Sequence, residues 1–256
     1  MRLPRCRARR RDAKAPAAAP WRRRAATSFS AALFATALAT GPAAAQLGGA
    51  LTLSSQARLR GQQISGHRPA AELELFHDSD GGFYIGGSAA FVATHHGGLK
   101  ALSFRQYAGF TRRLSSATAI EVGMVHNGYT EYSAIPGGGG YTEAYAGING
   151  RHLSARVSLS PGYFRKGEPT LYAEMNGSLD LDPEWSLFAH SGRLTRLRNH
   201  SYRRGGDATD WRIGLRRRLG PVDLDAAWTG YVVDRPRYGG RDRQDGALVI
   251  ALAYAF

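Results

Sequence analysis

The chain has little cysteine and no long apolar segment, and both absences narrow the classes of protein to which it can belong. Its single cysteine is Cys6, so no internal disulfide can form. The apolar stretch at residues 25–39 is shorter than the about 20 residues that a membrane-spanning helix needs. No segment of the later chain shows a sustained helical period, and 32 glycines interrupt any helical pattern. Disulfide-stabilised and helical membrane folds are therefore excluded.

The first 45 residues have the features of a secretory signal peptide. Residues 1–24 hold ten basic residues and one Asp, residues 25–39 are apolar, and a small-residue Ala-x-Ala site ends at Ala45. We predict a signal peptide with an extended basic N-terminus at residues 1–45 and a mature domain at residues 46–256. Removing the leader lowers the net charge from +14 to about +5. The main support for nucleic-acid binding is lost with it.

The mature chain alternates apolar and polar residues along most of its length. Its last ten residues, ALVIALAYAF, place Leu, Ile, Leu, Tyr and Phe in one row and mostly alanines in the other. Twelve segments of roughly ten residues share this period of two, and that length suits a tilted strand crossing an outer membrane. We predict an all-β fold, a transmembrane antiparallel up-and-down β-barrel of about twelve strands, with the first strand at residues 51–60.

The connections distinguish a membrane barrel from a soluble sandwich, whose solvated face would show the same alternation. Links from even to odd strands are short, as in DSDGG, GR and GP, whereas three links from odd to even strands are long. Bacterial barrels have short periplasmic turns and longer outer loops, and an even number of strands leaves both termini on the periplasmic side. The pattern predicts the bacterial outer membrane.

Charged residues in mid-strand lie in the row opposite the apolar one, and we predict that they line the lumen. Because the row mixes both signs, we expect facing charges to pair and the interior to select only weakly between ions. The predicted lumen-lining residues are Arg58, Arg60, Glu72, Glu74, Arg105, Glu121, Glu143, Arg156, Glu174, Arg212, Arg216, Asp223 and Asp225.

The C-terminal residues are expected to close the barrel and to direct its assembly. Pairing of the last strand with the first would remove both sheet edges. Tyr254 and Phe256 are expected in the inner aromatic girdle. A last strand that ends in Phe also resembles the signal recognised by the bacterial barrel-assembly machinery.

Two long outer loops are rich in arginine. Arg203 and Arg204 lie in one, and Arg241 and Arg243 lie in the other. Arginine binds phosphate through paired hydrogen bonds, so these residues are expected to contact the phosphates of lipopolysaccharide. Simple solubility of an exposed loop fits about as well, and a third role is the attraction of anions to a positive pore mouth.

The sequence gives little support for catalysis, metal binding or a cofactor. His95 and His96 are adjacent, so on a strand they would point to opposite faces. A barrel enzyme acting on membrane lipids would need a Ser–His or Asp–His pair at one depth near the outer rim. The nearest candidates are His126, Asn127 and Ser133. We expect no enzyme activity, no catalytic residues, no metal and no cofactor.

Four short stretches carry a family resemblance. In their order and spacing, RGQQISGHRPAAELEL, GGFYIGGSAAFV, YTEAYAGI and LSPGYF resemble the TorF family of porin-like proteins, a proteobacterial group of poorly defined role. The resemblance runs from about Leu51 to Phe256. The arginine-rich loops at 193–209 and 234–245 and the glycines at 137–140 depart from the family pattern. The resemblance implies an outer-membrane barrel that passes small solutes, and it implies no catalytic residues.

These features predict a narrow outer-membrane channel for small hydrophilic solutes, with a weak anion preference. Twelve strands lie between eight, whose interior is filled by side chains, and sixteen to eighteen, which leave an aqueous channel. The alternatives are a structural or lipopolysaccharide-contacting barrel with a closed lumen, and a lipid-modifying barrel enzyme. The expected partners are outer-membrane lipid, lipopolysaccharide, the barrel-assembly machinery and small solutes, without nucleic acid.

Overall fold

The computed structural model describes residues 46–94, 97–135, 138–198, 206–234 and 243–256. Within these ranges the chain forms a closed antiparallel barrel of twelve strands. No helix in the described ranges is long and apolar enough to cross a membrane. The predicted signal peptide lies outside the described residues, as do His95, His96, Arg203, Arg204, Arg241 and the side chain of Arg243.

The barrel is an up-and-down meander in which consecutive wall strands pair and the last strand pairs with the first. A small hairpin of two short strands, β2 (Arg58–Leu59) and β3 (Gln62–Gln63), follows the first wall strand. The wall strands are β1 (Gln46–Ser54), β4 (Ala70–Asp78), β5 (Phe83–Thr94), β6 (Gly98–Arg113), β7 (Thr118–Tyr129), β8 (Gly139–Gly150), β9 (Leu153–Ser160), β10 (Thr170–Asp180), β11 (Trp185–Arg196), β12 (Ala208–Leu219), β13 (Val222–Val233) and β14 (Arg243–Ala255).

The twelve predicted strands are confirmed, but the predicted end of the first one is wrong. β1 ends at Ser54, and residues 55–69 leave the wall for the interior, where Ser55 and Gln56 are fully buried. At the far end of this segment Arg60 and Gly61 have positive φ angles of 47° and 71°, which reverse the chain in a two-residue turn. Alternation continues through the segment, so the period alone did not reveal where the wall strand stops.

The seam between β1 and β14 closes the sheet through the last residue. Their register runs from Ala50 opposite Ala255 to Ser54 opposite Ala251. Phe256 extends it, because its N–H donates to the Gly49 carbonyl and its carbonyl accepts from the Gly49 N–H, both at 2.9 Å. The ladder thus continues to the chain terminus, and the barrel has no open edge at the seam.

A broad apolar belt covers the outside of the barrel. Alternate residues of the wall strands carry large apolar side chains that are more than one third exposed, including Leu51, Leu73, Ile85, Phe104, Val122, Met124, Ile148, Val157, Met175, Ile213, Trp228 and Leu248. Soluble proteins rarely expose so large a continuous apolar surface. In a closed barrel every wall strand is paired on both sides, which satisfies the backbone in lipid. The belt therefore faces a membrane.

The connections at the two ends of the barrel differ as expected. Both termini of the barrel lie at the end with short turns, which is the periplasmic end by the rule for bacterial barrels. The turns at this end are residues 79–82, 114–117, 151–152, 181–184 and 220–221. At the outer end, the link between β5 and β6 is short, and the remaining links include residues 55–69, 130–138 and 161–169.

A small apolar core lies inside the outer end of the barrel. Ile64, from the segment that leaves the wall, packs with Ala70, Ala90, Val92 and Leu102. The register between β5 and β6 shifts after Ala90, which marks a β-bulge, and Leu102 lies in it with no exposed surface. The segment is therefore packed against the inner face of β4, β5 and β6.

Candidate functional site

Residues 55–69, here called the inner hairpin, form an outer loop that folds back into the lumen. Its base is joined to the next long outer loop by two hydrogen bonds. The N–H of Ala134 donates to the carbonyl of Ile64 at 2.7 Å, and Arg68 Nη2 donates to the carbonyl of Tyr132 at 2.9 Å. With the apolar core around Ile64, these contacts hold the base on one side of the barrel.

The tip of the inner hairpin reaches the opposite side. A Cβ atom added to Gly61 would lie within 3 Å of the Gly230 carbonyl oxygen and of the Cβ atoms of Asp210 and Tyr231, so only glycine fits against β12 and β13 at this point. The φ of 71° at Gly61 also disfavours any other residue. From base to tip, the inner hairpin therefore crosses the lumen.

Arg58 attaches one edge of the inner hairpin to the wall. Its Nη2 lies 3.5 Å from Asp245 Oδ1 on β14, and its Nη1 donates to the carbonyl of Gly61 at 2.5 Å. Burial lowers the pKa of the Arg58 guanidinium, while Asp245 opposes the shift. The pair links the tip region to the strand that closes the barrel.

Arg60, at the tip, enters a pocket of three tyrosines and one carboxylate. Its Nη2 donates to both carboxylate oxygens of Glu143, at 2.8 and 2.7 Å. Its guanidinium carbon lies 3.8 Å from the ring centre of Tyr172, 5.1 Å from that of Tyr163 and 5.7 Å from that of Tyr141, all within cation–π range. We call these four wall and loop residues the tyrosine cage.

A cluster of aromatic rings supports the tyrosine cage from the side of the outer loops. Tyr163 and Phe164, in the connection after β9, pack on Tyr141 with ring centres 4.6 and 4.8 Å away. Tyr129 stacks on the same ring at 6.4 Å. Burial raises the pKa of the Tyr163 phenol, so this ring stays neutral. The stretches RGQQ, YTEAYAGI and LSPGYF thus meet at one level of the lumen.

Below the inner hairpin, the wall charges pair with close neighbours in the sheet. Arg156 donates to Glu121 Oε1 from Nε at 2.9 Å and from Nη2 at 2.6 Å. Gly147 lies between them on β8, and a Cβ there would come 2.7 Å from Glu121 Oε1. The missing side chain at Gly147 gives this pair the room to form across an intervening strand.

A second set of pairs joins β12 and β13. Arg216 donates to both oxygens of Asp225, from Nε at 2.7 Å and from Nη2 at 2.9 Å. Arg212 Nη2 lies 3.4 Å from the same carboxylate, and Arg216 Nη1 lies 3.6 Å from Asp223. Both guanidinium groups lie near the ring of Phe188. These charges form one local network on the wall.

Four of the predicted lumen-lining residues form no ion pair within the described part of the chain. They are Glu72, Glu74, Arg105 and Glu174. Glu72 accepts a hydrogen bond from Ser88 at 2.6 Å and Glu74 accepts one from Tyr107 at 2.9 Å, both from neutral hydroxyl groups. Arg105 interacts electrostatically with Glu72 and Glu74 beyond salt-bridge distance. Carboxylates that do not contact a cation need water as a hydrogen-bond partner, because a charge is costly to desolvate.

The predicted luminal set therefore has two locations. Eleven of the residues lie on the inward-facing rows of wall strands, at the positions that period two gives them. Arg58 and Arg60 lie inside the lumen but not on the first wall strand, where the predicted bounds of that strand had put them. They lie on the inner hairpin because β1 ends four residues before Arg58.

A polar network that was not predicted from the sequence lies beside the tyrosine cage. Asp210, which is 3% exposed, accepts a hydrogen bond from Tyr172 at 3.0 Å and lies 2.8 Å from His190 Nε2. His190 Nδ1 lies 2.7 Å from Asn176 Oδ1. Asp210 stands two residues before Arg212, so its place in the same luminal row was readable from the spacing. Both ring nitrogens of His190 face acceptor oxygens.

The three candidate residues for a lipid-modifying site are not brought together. His126 is exposed on the outer face and bonds to Thr142 at 2.9 Å, whereas Asn127 is buried on the opposite, luminal face. The hydroxyl of Ser133 donates to the Thr130 carbonyl at 2.7 Å. This arrangement provides no Ser–His pair at the outer rim.

The closed barrel, the lipid-facing belt and the charged lumen define the protein as a bacterial outer-membrane β-barrel. The chain belongs to the Gcw_chp family, described as a bacterial protein family of unknown function, whose sequence profile matches residues 37–256. None of the curated proteins matches the chain in sequence.

Solved outer-membrane channels share the fold. The NanC porin is 10% identical with a TM-score of 0.50, over 82% of this chain and 99% of that one. The KdgM porin is 12% identical with a TM-score of 0.50, over 82% and 99%. The COG4313 outer membrane channel from Pseudomonas putida F1 is 12% identical with a TM-score of 0.53, over 84% and 97%. At these identities the likeness concerns the fold.

Proposed function

We propose that this protein is a narrow outer-membrane channel for small hydrophilic solutes and that the inner hairpin restricts its passage. The observation that carries the proposal is the luminal wall, where Glu72, Glu74 and Glu174 form no salt bridge among the described residues, and where the charge of Arg105 acts on both Glu72 and Glu74 without contact. Such groups need water around them. A hydrated lumen crossed by the inner hairpin is suited to slow, size-limited passage.

Single-channel recording of the refolded mature chain tests this proposal. We expect small, resolvable conductance steps in planar bilayers, because the inner hairpin narrows a barrel of intermediate strand number. The control is heat-modifiable migration of the same sample, which shows that the barrel is folded. Folded protein without conductance would favour the alternative of a structural barrel with a closed lumen.

We further propose two roles for the outer-loop arginines Arg203, Arg204, Arg241 and Arg243. As cations at the outer surface they would bind phosphates of lipopolysaccharide and would bias solute capture toward anions. Lipopolysaccharide that copurifies with the folded barrel should decrease when all four are changed to Gln. Unchanged lipopolysaccharide content would contradict the binding role.

The remaining features support a barrel without enzyme activity that is inserted into the outer membrane by the barrel-assembly machinery. The separation of His126 from Ser133 favours transport over lipid chemistry. The terminal Phe256, with its neighbour ring Tyr254 at 6.0 Å, suits recognition by the barrel-assembly machinery. The resemblance to the TorF family of porin-like proteins supports the same function.

A further inference from the structure

We propose that the tyrosine cage is a binding site for the guanidinium group of a solute, and that Arg60 is its built-in, displaceable occupant. The proposal rests on the proposed channel function only for the route by which a solute arrives. Binding itself depends on Glu143, Tyr141, Tyr163 and Tyr172.

The chemistry of the tyrosine cage selects a guanidinium rather than any cation. Planar guanidinium groups stack on aromatic faces and pair with carboxylates through two parallel hydrogen bonds, whereas an ammonium group is a compact point charge. Tyr172 offers a ring face at 3.8 Å and Glu143, only 3% exposed, offers both oxygens. A buried carboxylate surrounded by neutral aromatic rings therefore favours binding of a guanidinium group.

Arg60 fills the site imperfectly. It uses one nitrogen, Nη2, for both oxygens of Glu143, and its Nη1 is buried without a hydrogen-bond partner in the described structure. A free guanidinium can turn to place two nitrogens on the two oxygens, which the tethered side chain does not do here. A solute can therefore make a contact that Arg60 does not make.

The backbone conformation at Arg60 does not depend on the tyrosine cage. Its φ of 47° belongs to the two-residue turn with Gly61, and this turn can persist when the side chain leaves. The base of the inner hairpin is held independently by the core around Ile64 and by the hydrogen bond from Ala134. Arg60 can thus leave the tyrosine cage while the base of the inner hairpin stays in place.

The site can be tested with two capped amino acids, in which only the side chain is charged. Their binding is measured on the refolded mature barrel in detergent. The probes are N-acetyl-arginine amide and N-acetyl-lysine amide, which differ in the cationic group, and titration calorimetry measures both. We expect wild type to bind the arginine probe weakly and Arg60→Gly to bind it about tenfold more tightly, because the tethered competitor is removed. Glycine suits the turn, so the hairpin itself is preserved.

Two further variants separate the tyrosine cage from general loosening. Adding Glu143→Gln to Arg60→Gly should abolish binding. Arg68→Ala, which weakens the base of the inner hairpin by removing its bond to Tyr132, should bind no more tightly than wild type. Heat-modifiable migration confirms folding in each case.

Three results would overturn the proposal. The first is an affinity for the lysine probe equal to that for the arginine probe. The second is a gain in affinity in Arg68→Ala as large as that in Arg60→Gly. The third is binding of the arginine probe by Arg60→Gly but not by wild type, which would mean that Arg60 never leaves the tyrosine cage. Bilayer recordings on the same samples keep the two proposals apart. Conductance without probe binding rejects the site alone, whereas probe binding without conductance rejects the channel alone.

Discussion

The outer and periplasmic halves of the lumen neutralise their charges in different ways. In the periplasmic half, Arg216 and Asp225 pair across adjacent strands and are 9 positions apart in sequence. In the outer half, Arg60 and Glu143 pair across the lumen and are 83 positions apart. Near the periplasmic turns a cavity of about 280 Å³ is bounded by groups such as Asp180 and Arg218. The periplasmic half thus pairs these charges between neighbouring strands, while the outer half uses a segment that crosses the lumen.

This difference indicates that the periplasmic half is a fixed wall and that the outer half contains the segment able to move. Wall strands are held by continuous ladders on both sides, which open only when the barrel unfolds. The inner hairpin is held by a few side-chain and loop contacts. Segments of low local stability are the ones that move during function. Changes that separate the two halves should therefore have effects of different kinds.

The largest expected effect concerns which half faces outward. An epitope inserted after Arg204 or Gly240 should be labelled by antibody on intact cells, and one inserted after Gly220 should not, because short turns face the periplasm. Labelling after cell permeabilisation is the control for Gly220. Surface labelling of the Gly220 insertion would reverse the orientation and with it the assignment of the two halves.

Deletion of Phe256 should strongly reduce the amount of folded, heat-modifiable barrel. The change removes two hydrogen bonds to Gly49, each worth about 1 kcal/mol, and the terminal ring. Ala255→Leu, at an exposed position of the same strand, is the matched control. Outer-membrane fractions compared by gel shift give the readout. Normal folded levels after the deletion would show that neither the seam nor assembly depends on Phe256.

Excision of the tip of the inner hairpin should raise conductance several-fold while the wall stays intact. Ile64 N donates to the carbonyl of Ala57 at 2.8 Å, so residues 58–63 can be replaced by Asn-Gly in a tight turn. Arg60→Gly in the full-length hairpin is the control. Unchanged conductance in bilayers would mean that ions already pass freely beside the hairpin.

The sequence predicted the wall well because a barrel wall obeys one simple period. Inward and outward rows alternate at every position, so Glu121, Arg156 and Asp225 could be assigned to the lumen without knowledge of their partners. Register between strands then follows from the short turns. The pairing of Arg216 with Asp225 across the turn at residues 220–221 needed only this geometry.

The crossing segment was not predictable in the same way. Nothing in a period of two distinguishes a wall strand from a strand of a hairpin inside the lumen, and the partner of Arg60 lies on the far wall. The signal that was available is local: Gly61 directly after Arg60 permits a reversal of the chain. The tyrosine cage requires long-range contacts that spacing does not give.

A smaller effect should follow when the room for a wall pair is removed. In Gly147→Ala the new methyl group would meet Glu121 Oε1 and disturb its bond to Arg156. We expect the free energy of unfolding in urea to fall by about 1.5–3 kcal/mol, the range for a hydrogen bond to a charged group. Gly177→Ala is the control, since its Cβ would meet only the His152 carbonyl, at an ordinary 3.8 Å. Equal stability of the two variants would mean that the pair adjusts without loss.

The smallest expected effect is on ion selectivity, where the outer loops and the luminal wall should act in opposite directions. The arginines of the outer loops are expected to attract anions, and their field is screened as the Debye length falls from about 10 Å at 0.1 M salt to about 3 Å at 1 M. Partly buried charges are screened less. In the described wall three carboxylates without a salt bridge, Glu72, Glu74 and Glu174, outnumber Arg105, the one such cation of the predicted luminal set. Reversal potentials should therefore show a weak anion preference at low salt that changes to a weak cation preference at high salt.

Two sets of variants separate the contributions to selectivity. Changing Arg203, Arg204, Arg241 and Arg243 to Gln should remove only the anion preference at low salt. Changing the three glutamates to Gln should remove only the cation preference at high salt. A clear cation preference of the wild type at low salt would contradict the role of the outer loops, and a preference independent of salt would show that the loops or the wall alone set selectivity.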